Sequence, residues 1–275
     1  MKIGIVGWGY VGATTGLGLK KFHKIMVYDP FKNIEEFSVD YIGEIPTKKL
    51  TENIEHVNDI ERLVEANIIF VCLPTPTIDD KIDLSYIENF FKDASKILKN
   101  AIFIIRSTVP PGTTKKLQEK YPQFKFAHNP EFLRERTPLH DFLYPSRIVI
   151  GTDHDDVASI LLDVYDPFEC QKIITNSDTS EIVKYAANCF LATKISYFNE
   201  IHQICEKFGI DSKIVSEAVS MDERIGRYGI YGGKPFGGAC LPKDLAAFID
   251  HAENKADHEP ILLKSVKEVN KRVAE

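Results

Sequence analysis

Short unbroken runs of apolar, largely β-branched residues recur through the first 175 positions: KIGIV at 2–6, IMVY at 25–28, IIFVCL at 68–73, AIFII at 101–105, FKFA at 124–127 and RIVI at 147–150. Most read as continuous apolar strands rather than as strict alternation. A strand that is apolar on both faces is buried on both faces, the condition of a parallel sheet covered by helices on either side. The polar and amphipathic stretches between the runs are long enough to supply those helices. The pattern predicts a doubly wound parallel α/β sheet over 1–175, followed by an all-helical domain over 176–275.

Past residue 175 the apolar period lengthens. Asp178 reads as an N-cap with Glu181 three positions on, the spacing of a capping box, and the helix it opens runs to about Phe208. A second helix is expected near 211–220. RIGRYGIYGGKPFGGAC, at 224–240, is too rich in glycine for either regular element and predicts a long loop, a feature that in compact domains is usually functional or disordered. Pro242 then fits a first helical position, with Leu245, Phe248 and Ile249 as an apolar face. In the last segment Leu262, Val266, Val269 and Val273 are spaced four, three and four apart. That apolar seam needs a partner, either its own domain or a second copy of the chain, and it predicts a homodimer through the C-terminal helix.

Composition narrows the function classes. With 275 residues, 44% of them hydrophobic, the chain can bury a large core. A net charge of −6 without long blocks of like charge argues against nucleic acid or an anionic membrane as the main partner and leaves small molecules. Apolar runs stay at strand length, far below the ~18 residues of a membrane helix, and the glycines of the N-terminus argue against a signal peptide. Five cysteines (Cys72, Cys170, Cys189, Cys205 and Cys240) show no metal-type pairing and leave an odd one over, which suits free thiols in a reducing cytoplasm.

Two stretches carry chemistry. Gly7-Trp8-Gly9-Tyr10-Val11-Gly12 follows the first strand and opens a helix, and Asp29 ends the second strand. Glycines there allow a tight turn and close approach of a pyrophosphate, while the acid binds ribose hydroxyls and repels a 2′-phosphate, so NAD is expected rather than NADP. FGGACLPKD, at 236–244, sets Cys240 just before a helix N-terminus. Unpaired amides and the helix dipole favour a thiolate there, and Gly237 and Gly238 leave the backbone bare for a substrate. The competing reading of Cys240 is a small buried hydrophobe. Lys184 and Asn188, four apart on the long helix, present a cation and an amide on one face; Glu131 and Glu135 are likewise four apart, on one helical turn after Pro130. Thr108 lies just past a strand's carboxyl end, where α/β sheets bind ligands.

Taken in order, GWGYVG, PTPT at 74–77, STVPPGT at 107–113, NPEFLRE at 129–135, EIVKYAANCFLATKISYFNE at 181–200, DERIG at 222–226 and FGGACLPKD resemble the UDP-glucose/GDP-mannose dehydrogenase family over nearly the whole chain. The resemblance implies a Rossmann-like NAD-binding domain and a helical domain of the 6-phosphogluconate-dehydrogenase-like kind, in a dimer. It implies oxidation of the C6 alcohol of a nucleotide-linked hexose to a carboxylate with two NAD and one water, UDP-glucose to UDP-glucuronate being the favoured pair.

By the same resemblance Cys240 is the nucleophile that captures an aldehyde as a thiohemiacetal and then carries a thioester. Lys184 and Asn188 stabilise oxyanions, Thr108 and Asp244 position a water, and Glu135 assists hydrolysis. Gly7, Gly9, Tyr10, Val11, Gly12, Asp29, Thr75, Thr108, Glu135 and Lys243 match cofactor positions. Glu131, Phe132, Leu133, Arg134, Glu135, Lys184, Asn188, Gly229, Tyr231, Gly233 and Gly237 match substrate positions. Three departures accompany the matches: Arg136 stands where the family commonly has glycine, the segment between Asp29 and Cys72 is short and lacks the family's usual Pro-Ile-Tyr-Glu-Pro-Gly stretch, and the family's nucleotide-binding third domain would lie beyond residue 275. Two other classes compete: a two-domain β-hydroxyacid dehydrogenase, which would give Cys240 no task, and a non-catalytic NAD-binding subunit.

Overall fold

The computed structural model describes residues 1–34 and 50–275, so part of the short segment between Asp29 and Cys72 lies outside the described residues. It divides into two compact units, one of residues 1–76 and 83–184, the other of residues 77–82 and 185–275.

In the first unit β1 (Lys2–Val6), α1 (Tyr10–Leu19), β2 (Lys24–Tyr28), β3 (Ile54–Val57), a short 3-10 helix (Ile60–Glu65) and β4 (Ile68–Val71) come first. A two-stranded hairpin, β5 (Thr77–Ile78) and β6 (Lys81–Ile82), belongs to the second unit. The chain continues in the first unit with α2 (Ser85–Ile97), β7 (Ile102–Ile105), α3 (Thr113–Lys120), β8 (Lys125–His128), α4 (Pro138–Leu143), β9 (Arg147–Gly151), α5 (Asp155–Val164) and β10 (Gln171–Thr175). The sheet order is β10-β9-β8-β7-β4-β1-β2-β3, and the pairs from β3 through to β8 are parallel. This is the doubly wound sheet expected from the unalternating strands. Its last two strands run the other way: β8 meets β9 antiparallel at His128 and Gly151, and β9 and β10 are parallel to each other. An antiparallel neighbour needs no crossover back to the starting end, and the link from β8 to β9 holds only the six-residue α4.

The six apolar runs all become strands, and β3 and β10 are additional. Both lie at sheet edges, where burial no longer demands a continuous apolar run: IEHV is half polar, and Ile174 in QKIIT is 51% exposed. Side chains alternate between two cores, Ile3, Ile5 and Phe70 on one face and Val6, Val71 and Phe103 on the other. α2 covers the second face with Ile87, Phe90, Phe91 and Ala94, Phe91 meeting Phe103 edge-on at 4.9 Å.

The long helix α6 (Ser177–Phe208) gives its first turns to the first unit and its remainder to the second. It begins one residue before Asp178, and Glu181 does not close a capping box. Instead the buried Glu181 carboxylate caps a different helix, accepting from Gly112 N at 2.6 Å, Thr114 N at 2.8 Å and Thr114 Oγ1 at 2.6 Å, at the start of α3. Burial pushes its pKa up to about 7 against these hydrogen bonds. A carboxyl raised in the folded state keeps its proton there after the unfolded chain has lost it, so stability falls as pH rises from about 4.5 to about 7, by about 3 kcal/mol. Glu181→Gln should flatten that slope in urea midpoints taken at pH 5 and 7; an unchanged slope would mean another group titrates.

The second unit holds the rest of α6, α7 (Ser212–Ser220), α8 (Leu241–Lys255), α9 (Ile261–Ala274) and the hairpin. Cys189, Ala192, Phe236, Leu245, Ile249 and Val266 form its core, and Tyr185 stacks on Phe248 at 5.2 Å. One position of the seam on α9 packs into this core, and the other three are half-buried or exposed. Val266 is 4% exposed within this core, while Leu262 at the seam's start is 64% exposed. Asn270 on the same helix clips the loop by accepting from Phe236 N at 2.7 Å and donating to Phe236 O at 3.0 Å.

Candidate active site

Sheet order reverses between β1 and β4, and the turn from β1 into α1 sits at that switch point, where open α/β sheets form a ligand crevice. Gly7 has φ +90, and a Cβ there would come within 2.8 Å of the Cys72 carbonyl. A Cβ on Gly12 would lie 1.9 Å from Gly7 O, so only glycine lets α1 pack this close to β1. Gly9, the N-cap of α1, has nothing within 4 Å of its would-be Cβ and leaves the helix N-terminus open to a phosphate. Tyr10 and Val11 open α1, Val11 packing on the first core. Asp29, 8% exposed at the end of β2, accepts from Trp8 N at 2.7 Å, Phe31 N at 3.0 Å and Lys32 N at 3.1 Å. A carboxylate has about four lone-pair sites, so roughly one remains for a ribose hydroxyl. Thr75 follows β4 and Thr108 follows β7, both half-buried; the adjoining Ser107 donates to Leu73 O at 2.7 Å and ties these two strand ends together. Open space at Gly9, the fixed acid and the free helix N-terminus fit a dinucleotide.

Also in the first unit, Lys184 on α6 donates to Glu131 O at 2.7 Å and to Glu131 Oε1 at 2.6 Å, its side chain 5% exposed and that of Glu131 6%. Glu131 Oε2 accepts from Leu133 N at 2.7 Å. Burial acts to raise the Glu131 pKa, but the Lys184 charge and these hydrogen bonds outweigh it and hold the carboxyl below its ordinary range. His128, also buried, meets Ser180 Oγ through Nδ1 at 2.8 Å, and burial, with Lys184 and Arg106 nearby, pushes its pKa down to about 3. Residues 131–134 take no regular structure, so Glu131 and Glu135 do not share the helical turn expected after Pro130. The backbone has to bend there to aim Glu131 inward; Glu135 stays exposed, and Arg134 pairs with Asp141. Phe132 lies under the Lys184 ammonium at 5.7 Å.

In the second unit Cys240 is exposed, which removes the reading of it as a buried hydrophobe. It is itself the N-cap of α8, its side chain making no capping hydrogen bond, with Pro242 inside the first turn. One turn on, Asp244 is fully buried: Asn188 Nδ2 donates to Oδ2 at 2.6 Å, Lys243 Nζ stands 2.8 Å from Oδ1, and Asp244 N donates to Cys240 O at 2.9 Å. Asn188, Lys243 and Asp244 therefore lie together one turn beyond Cys240, while Lys184, the lysine expected to act with Cys240 and Asn188, is engaged by Glu131 in the first unit. Burial, with the Asp244 charge adding to it, pushes the Cys189 thiol up to about 12, and burial pushes Cys72 up to about 12 as well. Iodoacetamide at pH 8 should accordingly alkylate Cys240 at least about tenfold faster than Cys72 or Cys189. Peptide mapping with time checks this, and equal labelling would show that the buried thiols open freely.

The glycine-rich loop leans on α6. Gly229 has φ +69, and a Cβ on it would meet Ile195 at 2.8 Å; Gly233 has φ +92 and lies over the His202 ring. Tyr231 OH reaches Glu217 Oε1 at 3.3 Å, and Gly237 faces open space. Sequence reasoning missed Asn199, which is fully buried, accepts from Gly233 N at 2.8 Å and donates to Lys234 O at 2.9 Å. An asparagine in a helical stretch carries no signal that it holds a loop distant in sequence.

Residues 1–169 match the NAD binding domain of the UDP-glucose/GDP-mannose dehydrogenase family, and residues 178–272 match that family's central domain. A UDP-glucose 6-dehydrogenase of Rickettsia typhi is 36% identical over 296 residues, an alignment that takes in 98% of this chain and 67% of the relative. The structure of a UDP-glucose dehydrogenase from the hyperthermophilic archaeon Pyrobaculum islandicum superposes with a TM-score of 0.89 at 33% identity, covering 98% of this chain and 68% of that one. A 3-hydroxyisobutyrate dehydrogenase of Mycobacterium tuberculosis shares the fold, with a TM-score of 0.75 at 15% identity over 99% of this chain and 93% of that one. The chain thus spans about two thirds of the length of the first two.

Proposed function

The chain belongs to the UDP-glucose/GDP-mannose dehydrogenase family, and from that membership we propose that it serves the four-electron oxidation of a nucleotide sugar's C6 alcohol to a uronate, with UDP-glucose and UDP-glucuronate as the pair. Residues 1–175 are the cofactor half in this reading and 176–275 the half that carries the nucleophile. One observation carries it: an exposed thiol at the N-cap of α8, one turn ahead of a buried aspartate that Asn188 holds. A β-hydroxyacid dehydrogenase, for all its shared fold, has no use for such a thiol.

NAD supplies the hydride acceptor when bound in the cradle of β1 and α1. The rest falls to the chain's side chains. Thr108 and Asp244 are assigned the water that takes the alcohol proton as the C6 hydride leaves. Cys240 Sγ, as thiolate, then forms a C–S bond to the aldehyde carbon, and Lys184 and Asn188 stabilise the oxyanion of the thiohemiacetal. Loss of the second C6 hydride leaves a thioester. Water, assisted by Glu135, breaks the C–S bond and returns the acid and the free thiol.

The test is NADH formation by the purified chain with UDP-glucose, GDP-mannose and UDP-N-acetylmannosamine in turn, beside a direct NAD titration. Two NADH per sugar oxidised are expected. One NADH per sugar would sink the four-electron reading in favour of a simple alcohol dehydrogenase. NAD binding without turnover would make the chain a cofactor-binding part that works with a separate nucleotide-binding portion.

Pairing with a second copy, expected through α9, is here assigned to α6 as well. Phe190, Tyr197, Ile204 and Phe208 are 65%, 54%, 49% and 75% exposed at spacings of seven, seven and four, a stripe that the described residues leave uncovered. Phe190→Glu should halve the mass seen by light scattering, and the same mass with that variant would discard the stripe.

A further inference from the structure

The first unit contains a cavity of about 300 Å³ bounded by the ends of β7 and β8, the 131–134 segment, α4 and the start of β9. Two guanidinium groups line it without a carboxylate partner. Arg106 is 6% exposed; its Nη1 donates to Asn129 and to Tyr165 OH at 3.4 Å, and among the described residues its Nε, buried, has no acceptor and Nη2 enters no hydrogen bond. Arg147 lies over the Phe132 ring at 3.8 Å, and among the described residues its only hydrogen bond goes to Ser146 Oγ at 3.2 Å. Both acids of the wall are already engaged, Glu131 by Lys184 and Asp141 by Arg134. The Glu131 carboxylate also feels the Arg106 charge, so four cations, Arg106, Arg134, Arg147 and Lys184, face two carboxylates, an excess of two positive charges in a partly dehydrated space, and burial pulls the Arg147 pKa down. A buried unpaired charge is costly, and a planar fork of N–H donors matches a phosphate oxygen pair better than it matches any neutral group. Aromatic rings of Phe132, Phe142 and Tyr144 complete the wall and suit an organic body behind the anion.

We propose that this cavity binds the phosphate group of a small organic phosphate between Arg106 and Arg147. Neither arginine takes part in the chemistry assigned to Cys240, so the site does not rest on the oxidation reading, although Glu131, Phe132, Leu133 and Arg134 of its wall are among the substrate positions that the resemblance implies. Two sources share this chemistry, the phosphates of the nucleotide sugar itself and a separate phosphorylated metabolite.

Isothermal titration of the whole chain with inorganic phosphate and with phenyl phosphate, at ionic strength held constant with KCl, tests it. One saturable site is expected, tighter for phenyl phosphate because of the aromatic wall. Arg147→Gln, half-buried and so tolerable to the fold, should weaken binding by about tenfold or more while leaving NAD affinity unchanged. Arg106→Gln should do the same if it folds, and Arg147→Gln decides the matter if it does not. Displacement of phenyl phosphate by UDP-glucose would identify the anion as the nucleotide sugar's own, and retention would identify a second ligand. No saturable binding, or equal affinity in Arg147→Gln, overturns the proposal.

Discussion

Lys184→Ala should lower the stability of the chain by about 3–5 kcal/mol, more than any surface substitution, because it strands the Glu131 carboxylate in a site that water barely reaches. The pair's two side chains are 5% and 6% exposed, so neither partner can turn out to solvent when the other is lost. Lys184→Met combined with Glu131→Leu should recover most of the loss, since two apolar groups of similar volume leave no charge to solvate. Urea unfolding of the singles and the double, compared at constant slope, measures this; a loss under about 1 kcal/mol in Lys184→Ala would show that the site rehydrates. The pH dependence has a sign too. Glu131 is held below its ordinary range when folded, so its contribution is present above about pH 4.3, the unfolded value, and is lost as pH falls through the folded one. An activity loss in any Lys184 variant therefore contains a folding component, and only the part that survives correction for folded fraction speaks to an oxyanion role.

Cys240→Ala has the opposite profile, a large chemical effect with little structural one. The side chain is exposed and makes no capping hydrogen bond, so stability should change by less than about 1 kcal/mol and NAD affinity not at all. Uronate formation should fall by on the order of 10³-fold or more, because the aldehyde stage loses the group that holds it for the second oxidation. Product analysis by mass spectrometry with the nucleotide sugar that the wild type oxidises reads the effect directly. Undiminished uronate in Cys240→Ala would remove the thioester route.

The unalternating apolar runs made the central strands legible, because burial on both faces leaves no room for polar residues along them. GWGYVG and the acid 17 positions beyond Gly12 were legible for a related reason: the constraint there is local, a backbone that must turn within a few residues and cannot carry a Cβ at Gly12. Edge strands β3 and β10 were not legible, since one open side relaxes the composition rule that marked the others. The seam on α9 was seen correctly as a pattern, but periodicity says only that a helix face is covered. That Val266 is covered by the cluster of Cys189, Phe236 and Leu245 is a matter of packing.

Sequence by itself determined the fold class and the cofactor turn, which follow from apolar patterning and from spacing within a stretch of a few residues, while the residues proposed for the site are what the resemblance of the ordered motifs implies. Tertiary structure alone decided the partners: that Glu131 spends its charge on Lys184, that Glu181 caps α3 instead of its own helix, that Asn188 holds Asp244, and that Arg106 and Arg147 face one cavity whose two acids are paired with other cations. These pairs are separated by 41 to 69 positions in the chain. Which distant groups meet is set by the folded path of the chain, and a spacing rule that reaches one or two helical turns carries no information about it.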